Sequence, residues 1–198
     1  MTIPDFLTAR RAEIYDEPRT PGHDTITAQM AAEVAKHLKP GASILDVGCG
    51  QGAALEWFRD HGFRPVGISA NAAEVAVLRQ RGFSAYVRDM HYLIPFYTDC
   101  IWARHVLEHS PVPFYLLTEF RERLYRGGIL YVEVPAPDTA CHHEANPNHY
   151  SILGLEMWKS LIVRAGFTLL EIRRIDLATA AGPDTYFSLL SAFDNDQN

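Results

Sequence analysis

The 198-residue chain has three cysteines, Cys49, Cys100 and Cys141, an odd number spaced too widely for a disulfide framework. No apolar run approaches the ~20 residues that a membrane-spanning helix needs, and no internal repeat or low-complexity tract is visible. Cations are in the minority: 18 Lys and Arg against 24 Asp and Glu leave a formal net charge of −6. A nucleic-acid-binding surface needs clustered Lys and Arg to displace counterions from phosphates, so a small-molecule partner is expected instead. With no secretory leader to read, the expected compartment is a reducing cytoplasm. Three tryptophans and ten phenylalanines serve either a core or an interface between copies of the chain, which leaves a homo-oligomer open.

At 47% hydrophobic and 21% charged, the chain can bury the core of one domain and is too short for two ordinary ones. Apolar residues recur at helical spacing over Ile26–Leu38, and "KPG" at Lys39–Gly41 stops that helix. The run "SILDVGCG" predicts a buried strand entering a tight turn. The pattern then repeats: helix "AALEWFRDHG", strand "RPVGIS", helix "NAAEVAVLRQRG", strand "SAYVRDM", loop "HYLIPFYT", strand "DCIWARH", helix "FYLLTEFRERLYRGG", strand "ILYVEVP". Such alternation predicts βαβ units in a doubly wound α/β domain with helices on both faces. A polar loop, "APDTACHHEANPNHYS", precedes the helix "ILGLEMWKSLIVRAG" and the strands "TLLEIRRID" and "TYFSLLSAF". Loops of that length in a compact domain are often functional. Residues 1–25, rich in Pro and charge, are expected to form an arm or lid before a domain spanning 26–198.

In a doubly wound sheet, ligands sit outside the carboxyl ends of the strands. There "DVGCGQG", Asp46–Gly52, closes the first strand: its glycines permit positive φ and close approach of a ligand, and the following helix start offers N–H groups. A plain tight turn between strand and helix would show the same glycines.

The wider set of motifs separates the two readings. "ILDVGCGQG", "RDM" after the third strand, "HVLEH" after the fourth, "RGGILYVEVP" and "AGF" before the sixth resemble, in kind and order, the class I S-adenosylmethionine-dependent methyltransferases. The resemblance covers about Ile26 to Phe193. It implies a Rossmann-like α/β fold with a seven-stranded, mostly parallel sheet whose last strand is antiparallel. It also implies that Asp46, Gly48, Cys49 and Gly50 line the methionine and ribose part of S-adenosylmethionine. Asp89 would face the adenine amino group, with the Met90 backbone beside the ring. The family usually has an acid at the end of the second strand, where this chain has Ser69, and Asn71 is the candidate for the ribose contact.

In "HVLEHS", residues His105, Glu108 and His109 stand at i, i+3 and i+4, so on a helical turn they share one face at chelating spacing. The alternative is a plain loop-to-helix element in which Glu108 caps backbone groups and histidine lines the acceptor wall. The segment resembles two metal-using branches of the family, the small-RNA terminal 2′-O-methyltransferases and the ubiquinone-pathway O-methyltransferases. Both carry an acid, two spacers, then Glu-His, and the RNA enzymes add a His from the loop after strand five. Here His105 replaces the leading acid and His149 of "NPNHYS" supplies the loop ligand. The resemblance implies Mg²⁺, whereas three imidazoles suit Mn²⁺, Fe²⁺, Co²⁺ or Zn²⁺ by ligand softness.

A cation touching an alcohol lowers the hydroxyl pKa, and a neighbouring base completes activation of the nucleophile. "CHHE" offers His142 and His143 as base candidates, each also readable as a solvated loop residue. The function expected is therefore a metal-assisted O-methyltransferase, using Mg²⁺ or Mn²⁺, that acts on a sugar, glycoside or other vicinal diol. Two alternatives stand beside it: a metal-independent C- or N-methyltransferase of a small metabolite, and a non-catalytic subunit of the same fold.

Overall fold

The computed structural model describes residues 19–92 and 96–193. Most of the expected arm, residues 1–18, and part of the loop "HYLIPFYT", residues 93–95, therefore lie outside the described residues. In chain order the elements are α1 (Pro21–Ala35), β1 (Ser43–Val47), α2 (Ala53–Asp60), β2 (Arg64–Ser69), α3 (Ala72–Gln80), β3 (Ser84–Val87), β4 (Thr98–Arg104), α4 (Pro113–Arg121), β5 (Leu124–Pro135), α5 (Leu155–Arg164), β6 (Thr168–Thr179) and β7 (Gly182–Ala192). Short 3₁₀ turns at Leu107–His109 and His143–Ala145 complete the frame. Among the described residues, no helix is long and apolar enough to cross a membrane.

The seven strands form one sheet in the order β3-β2-β1-β4-β5-β7-β6. Neighbours from β3 to β5 are parallel, while β7 runs antiparallel to both β5 and β6. Strand alternation builds a core on each face. Leu45, Ile101, Leu130 and Val132 pack towards α4 and α5 with Phe120 and Trp158. Their neighbours Ile44, Trp102, Ile129 and Tyr131 pack towards α1 and α2 with Val34 and Phe58. The central strands are therefore apolar on both sides, as parallel strands covered by helices must be.

Three boundaries differ from the periodic reading. Helix α1 starts at Pro21, five residues before Ile26, because Thr20 caps it: its Oγ1 accepts from His23 N at 3.2 Å, and proline takes the first helical position. That first turn is polar, so apolar period does not reveal it. The segment "LYRGG", expected to end α4, belongs to β5. Thr98 pairs Leu124 and Cys100 pairs Ile129, leaving Tyr125–Gly128 as an irregularity at the foot of the strand. The last two strands extend to Thr179 and from Gly182, forming a longer hairpin than their apolar runs indicate.

The turn after β1 is where backbone freedom matters most. Gly52 opens α2 at φ +84°, and a Cβ there would strike Leu78 Cδ2 of α3. Gly52→Ala combines left-handed strain with overpacking of a fully buried contact, and should cost about 1–3 kcal/mol. Urea denaturation is the check, with a lower midpoint at unchanged m as the expected result.

Candidate active site

The carboxyl ends of β1 to β4 and the amino end of α1 enclose a cleft of about 340 Å³. Its floor is the glycine turn, where Gly48 and Gly50 take φ of +70° and +47°. A Cβ on Gly48 would lie 2.9 Å from Val106 Cγ2, so the turn fits beneath the end of β4 only without a side chain. Asp46, Gly48, Cys49, Gly50, Ser69, Asp89 and Met90 all line the cleft. Burial raises the Asp46 carboxyl well above its ordinary value, opposed by the nearby charge of Arg104.

At the end of β2, Ser69 Oγ donates to Glu74 Oε2 at 2.8 Å and accepts from Asn71 N at 3.1 Å. Glu74 lines the cleft and sits beside the glycine turn, its Oε1 3.9 Å from where a Cβ of Gly50 would lie. Asn71 is placed differently from the expectation. Its Oδ1 accepts from Ala73 N and Glu74 N as the cap of α3, and the residue is not among those lining the cleft. The requirement for a helix cap consumes the side chain that sequence spacing offered to a ligand. After β3, Asp89 Oδ1 accepts from the backbone and ring nitrogens of His91 at 2.9 and 2.8 Å. With its Nδ1 proton on Asp89, His91 Nε2 accepts from Ser110 Oγ at 2.9 Å.

A buried carboxylate lies behind the part of the wall formed by Arg104 and His105. Glu133, 1% exposed, receives Arg104 Nε at 2.7 Å, the Tyr131 hydroxyl at 2.6 Å and His105 Nε2 at 3.0 Å. Burial alone would raise its pKa; the hydrogen bond and charge of His105, then Arg104 and Tyr131, outweigh it and bring the value to about 2. Glu133 is therefore an anion at any working pH, and it fixes the ring of His105 at the cleft wall.

The "HVLEH" segment is not one helical face. His105 adopts φ +55°, and only Leu107–His109 form a 3₁₀ turn. His105 thereby swings to Glu133, with its Nδ1 3.8 Å from Glu108 Oε1. Of the four residues expected to hold a cation, His105 stands apart and the other three converge: one potential ligand atom each from Glu108, His109 and His149 lie within 4.8 Å of one another. Backbone bonds bring the loop in, since Glu108 O accepts from Tyr150 N and Ser151 N at 2.7 and 3.0 Å. His109 Nδ1 lies 2.9 Å from Asn148 O and His149 Nδ1 lies 3.0 Å from His143 O, contacts that require both Nδ1 atoms to carry the proton. That tautomer leaves each Nε2 as the basic nitrogen. Burial, followed by the charge of His109, lowers the His149 pKa to about 4.

The two expected bases are elsewhere. His142 is exposed at φ +49°, and His143 Nε2 is held by the Asp184 carboxylate at 3.0 and 3.1 Å; neither lines the cleft. The loop docks on β7, where Asp184 holds the His143 ring. Glu74, His91, Arg104 and Glu133 escaped the sequence reading. A charge inside the apolar run "YVEVP" was the one visible signal, because an isolated ionised group in a buried strand needs partners.

A family model described as a methyltransferase domain matches residues 23–172. The chain belongs to that family. This methyltransferase is also similar in fold to the N-methyltransferase NodS from Bradyrhizobium japonicum, solved with S-adenosyl-L-homocysteine, at 18% identity and a TM-score of 0.71 over 95% of this chain and 96% of that one. The 1,6-didemethyltoxoflavin N1-methyltransferase from Burkholderia thailandensis, with its substrate and S-adenosylhomocysteine bound, matches at 19% identity and TM-score 0.72 over 97% and 87%. The [4+2]-cyclase SpnF matches at 22% identity and TM-score 0.68 over 84% and 80%. No curated protein matches the chain by sequence. The protein is a class I S-adenosylmethionine-dependent methyltransferase, and the glycine-floored, carboxylate-lined cleft fits that cofactor.

If the cofactor lies against the turn, a side chain at Gly50 will collide with it. Gly50→Val and Asp46→Ala should each weaken S-adenosylhomocysteine binding by about tenfold or more, ~1.4 kcal/mol, as measured by isothermal titration calorimetry. Unchanged affinity in both folded variants would move the cofactor away from this turn.

Proposed function

We propose that this methyltransferase methylates a hydroxyl of a small acceptor with neighbouring hydroxyls, such as a sugar or glycoside, and that Glu108, His109 and His149 hold a divalent cation, Mg²⁺ or Mn²⁺, beside it. The observation that carries the reading is the convergence of those three ligand atoms within 4.8 Å, with both histidine tautomers set by backbone carbonyls. Three protein ligands leave positions for the two oxygens of a diol, which suits the oxygen preference of Mg²⁺ and the mixed preference of Mn²⁺. An amine acceptor attacks through its own lone pair and has no use for such a triad, so a hydroxyl is favoured over the nitrogen acceptors of the two N-methyltransferases. The net charge of −6 favours a small acceptor over nucleic acid. Buried free thiols at Cys49 and Cys100 suit the reducing cytoplasm.

Bound S-adenosylmethionine supplies an electrophilic methyl group. The backbone of Gly48–Gly52 receives the cofactor, Asp89 faces the adenine amino group with its carboxylate held by His91, and Glu74 takes the ribose hydroxyls in place of the acid missing at Ser69. A bound cation would lower the pKa of the coordinated hydroxyl. His105 stands at the cleft wall as the base, its ring oriented and its protonated form stabilised by Glu133.

Two measurements test the assignments separately. Wild type should bind Mn²⁺ tightly enough to quench the free-ion EPR signal, and should methylate members of a panel of glycosides with the activity abolished by EDTA and restored by Mg²⁺ or Mn²⁺. Glu108→Ala should lose both the Mn²⁺ binding and about 100-fold or more of the turnover, while keeping its affinity for S-adenosylhomocysteine. Full EDTA-resistant activity would overturn the metal and leave transfer to His105 and Glu133 alone.

For the cofactor, Glu74→Gln should weaken S-adenosylhomocysteine by about tenfold, ~1.4 kcal/mol, and should erase the discrimination against a 2′-deoxyribose analogue. Asn71→Ala should cost only the helix cap, about 1 kcal/mol of stability. Equal affinity of wild type and Glu74→Gln for both ligands would remove Glu74 from the ribose.

A further inference from the structure

The loop after β5 lies along the start of β7 and is tied there by main-chain bonds: Ala136 N donates to Thr185 O at 2.9 Å and Ala140 N to Pro183 O at 3.2 Å. This docking brings together three side chains that the cleft does not use. One ligand atom each from Cys141, His143 and Asp184 lie within 4.8 Å of one another. Asp184 is buried, and its carboxylate accepts from His143 Nε2 at 3.0 and 3.1 Å and from Thr185 N at 2.9 Å. Cys141 is half-buried, with Sγ 3.3 Å from Thr179 Oγ1 at the end of β6. On either side of the thiol, Asp138 and His142 adopt φ of +58° and +49°, which non-glycine residues hold only where the surroundings impose it.

We infer that Cys141, His143 and Asp184 form a second metal site, for a thiolate-seeking divalent ion of the Zn²⁺ type, which clips this loop to the β6–β7 hairpin. A paired His143 and Asp184 alone would account for two members and leave the thiol beside them without a purpose. With metal–ligand distances of about 2.0 to 2.3 Å, the ligand atoms of a tetrahedral zinc centre stand roughly 3.3 to 3.7 Å apart. The His143–Asp184 contact of 3.0 Å is close to that edge, and all three atoms fall within reach of one ion after small adjustments. The donor set of sulfur, nitrogen and one carboxylate oxygen selects Zn²⁺ over Mg²⁺. On binding, the ion takes the place of the proton between His143 Nε2 and Asp184, the neutral imidazole keeps its one proton on Nδ1, and the Cys141 thiol gives its own to solvent to become thiolate. Three protein ligands leave the fourth position to water.

The clip has a mechanical purpose. His143 O accepts from His149 Nδ1, so fixing His143 also fixes the imidazole that the loop presents beside Glu108 and His109. The inference stands on its own residues and holds whether or not those three bind a cation.

Cobalt distinguishes the two places, because only a thiolate ligand gives an intense sulfur-to-Co²⁺ charge-transfer band. Metal-free wild type titrated with Co²⁺ should develop that band to the intensity of one thiolate site per chain, and Zn²⁺ should bleach it. Cys141→Ser, nearly isosteric at a half-buried position, should abolish the band; Glu108→Ala should retain it. Asp184→Asn, which keeps the size of the side chain and one acceptor oxygen, should weaken Co²⁺ binding by about tenfold or more. Zn²⁺ should raise the Tm of wild type by more than that of Cys141→Ser. No band in wild type, a band that survives Cys141→Ser, or an equal Zn²⁺ shift in both proteins would each overturn the site.

Discussion

A carboxylate buried at the carboxyl end of a central strand has to be neutralised where it stands, and Glu133 draws the catalytic end of the sheet around itself. Arg104 from β4, Tyr131 from its own strand and His105 from the connection beyond β4 all point at its two oxygens. Removing one partner of such a buried charge typically costs 3–5 kcal/mol, roughly as much as a sizeable core side chain. The arrangement therefore fixes Arg104, whose charge acts on Asp46, and turns the His105 ring to the cleft wall. It also explains why His105 adopts left-handed backbone: the strand must end and the ring must return to Glu133 within one residue.

The second constraint is topological. Parallel strands whose carboxyl ends coincide place their following loops along one edge, and here that edge receives the glycine turn, Glu74, Asp89 and the 3₁₀ turn of Glu108. The remaining histidine comes from the loop between β5 and α5. Two backbone bonds to Glu108 O bring it in, so the position of His149 depends on main-chain geometry more than on its own side chain.

Legibility from sequence followed the physics of each feature. The alternation of strand and helix and the sheet class were visible because both faces of the central strands are apolar and glycine marks the β1 turn; the antiparallel last strand was implied by the resemblance of the motif set. The foot of β5 was not, since "ERLYRGG" continues helical spacing and only pairing with β4 makes it strand. Glu108, His109 and His149 were found as a group, whereas His105 was misplaced because its positive φ has no periodic signature. Asn71 was claimed for a ligand and is held by its helix. Glu74 was missed because a surface-looking glutamate in the first turn of α3 becomes a cleft residue only through its bond to Ser69. His142 and His143 looked like bases because loop residues have no period from which to infer facing.

The place of β7 in the sheet has a consequence for how the chain reaches this state. It is the last strand in sequence, yet it lies between β5 and β6 and pairs with both along most of its length. Until Gly182–Ala192 has left the ribosome, β5 shows an open edge and β6 has no neighbour to join. Exposed edges of that kind recruit other chains. The interval between synthesis of β6 and insertion of β7 is thus the point at which a nascent chain is most open to mispairing, and the long register of the closing hairpin shortens that interval by letting β6 and β7 zip together before they meet β5.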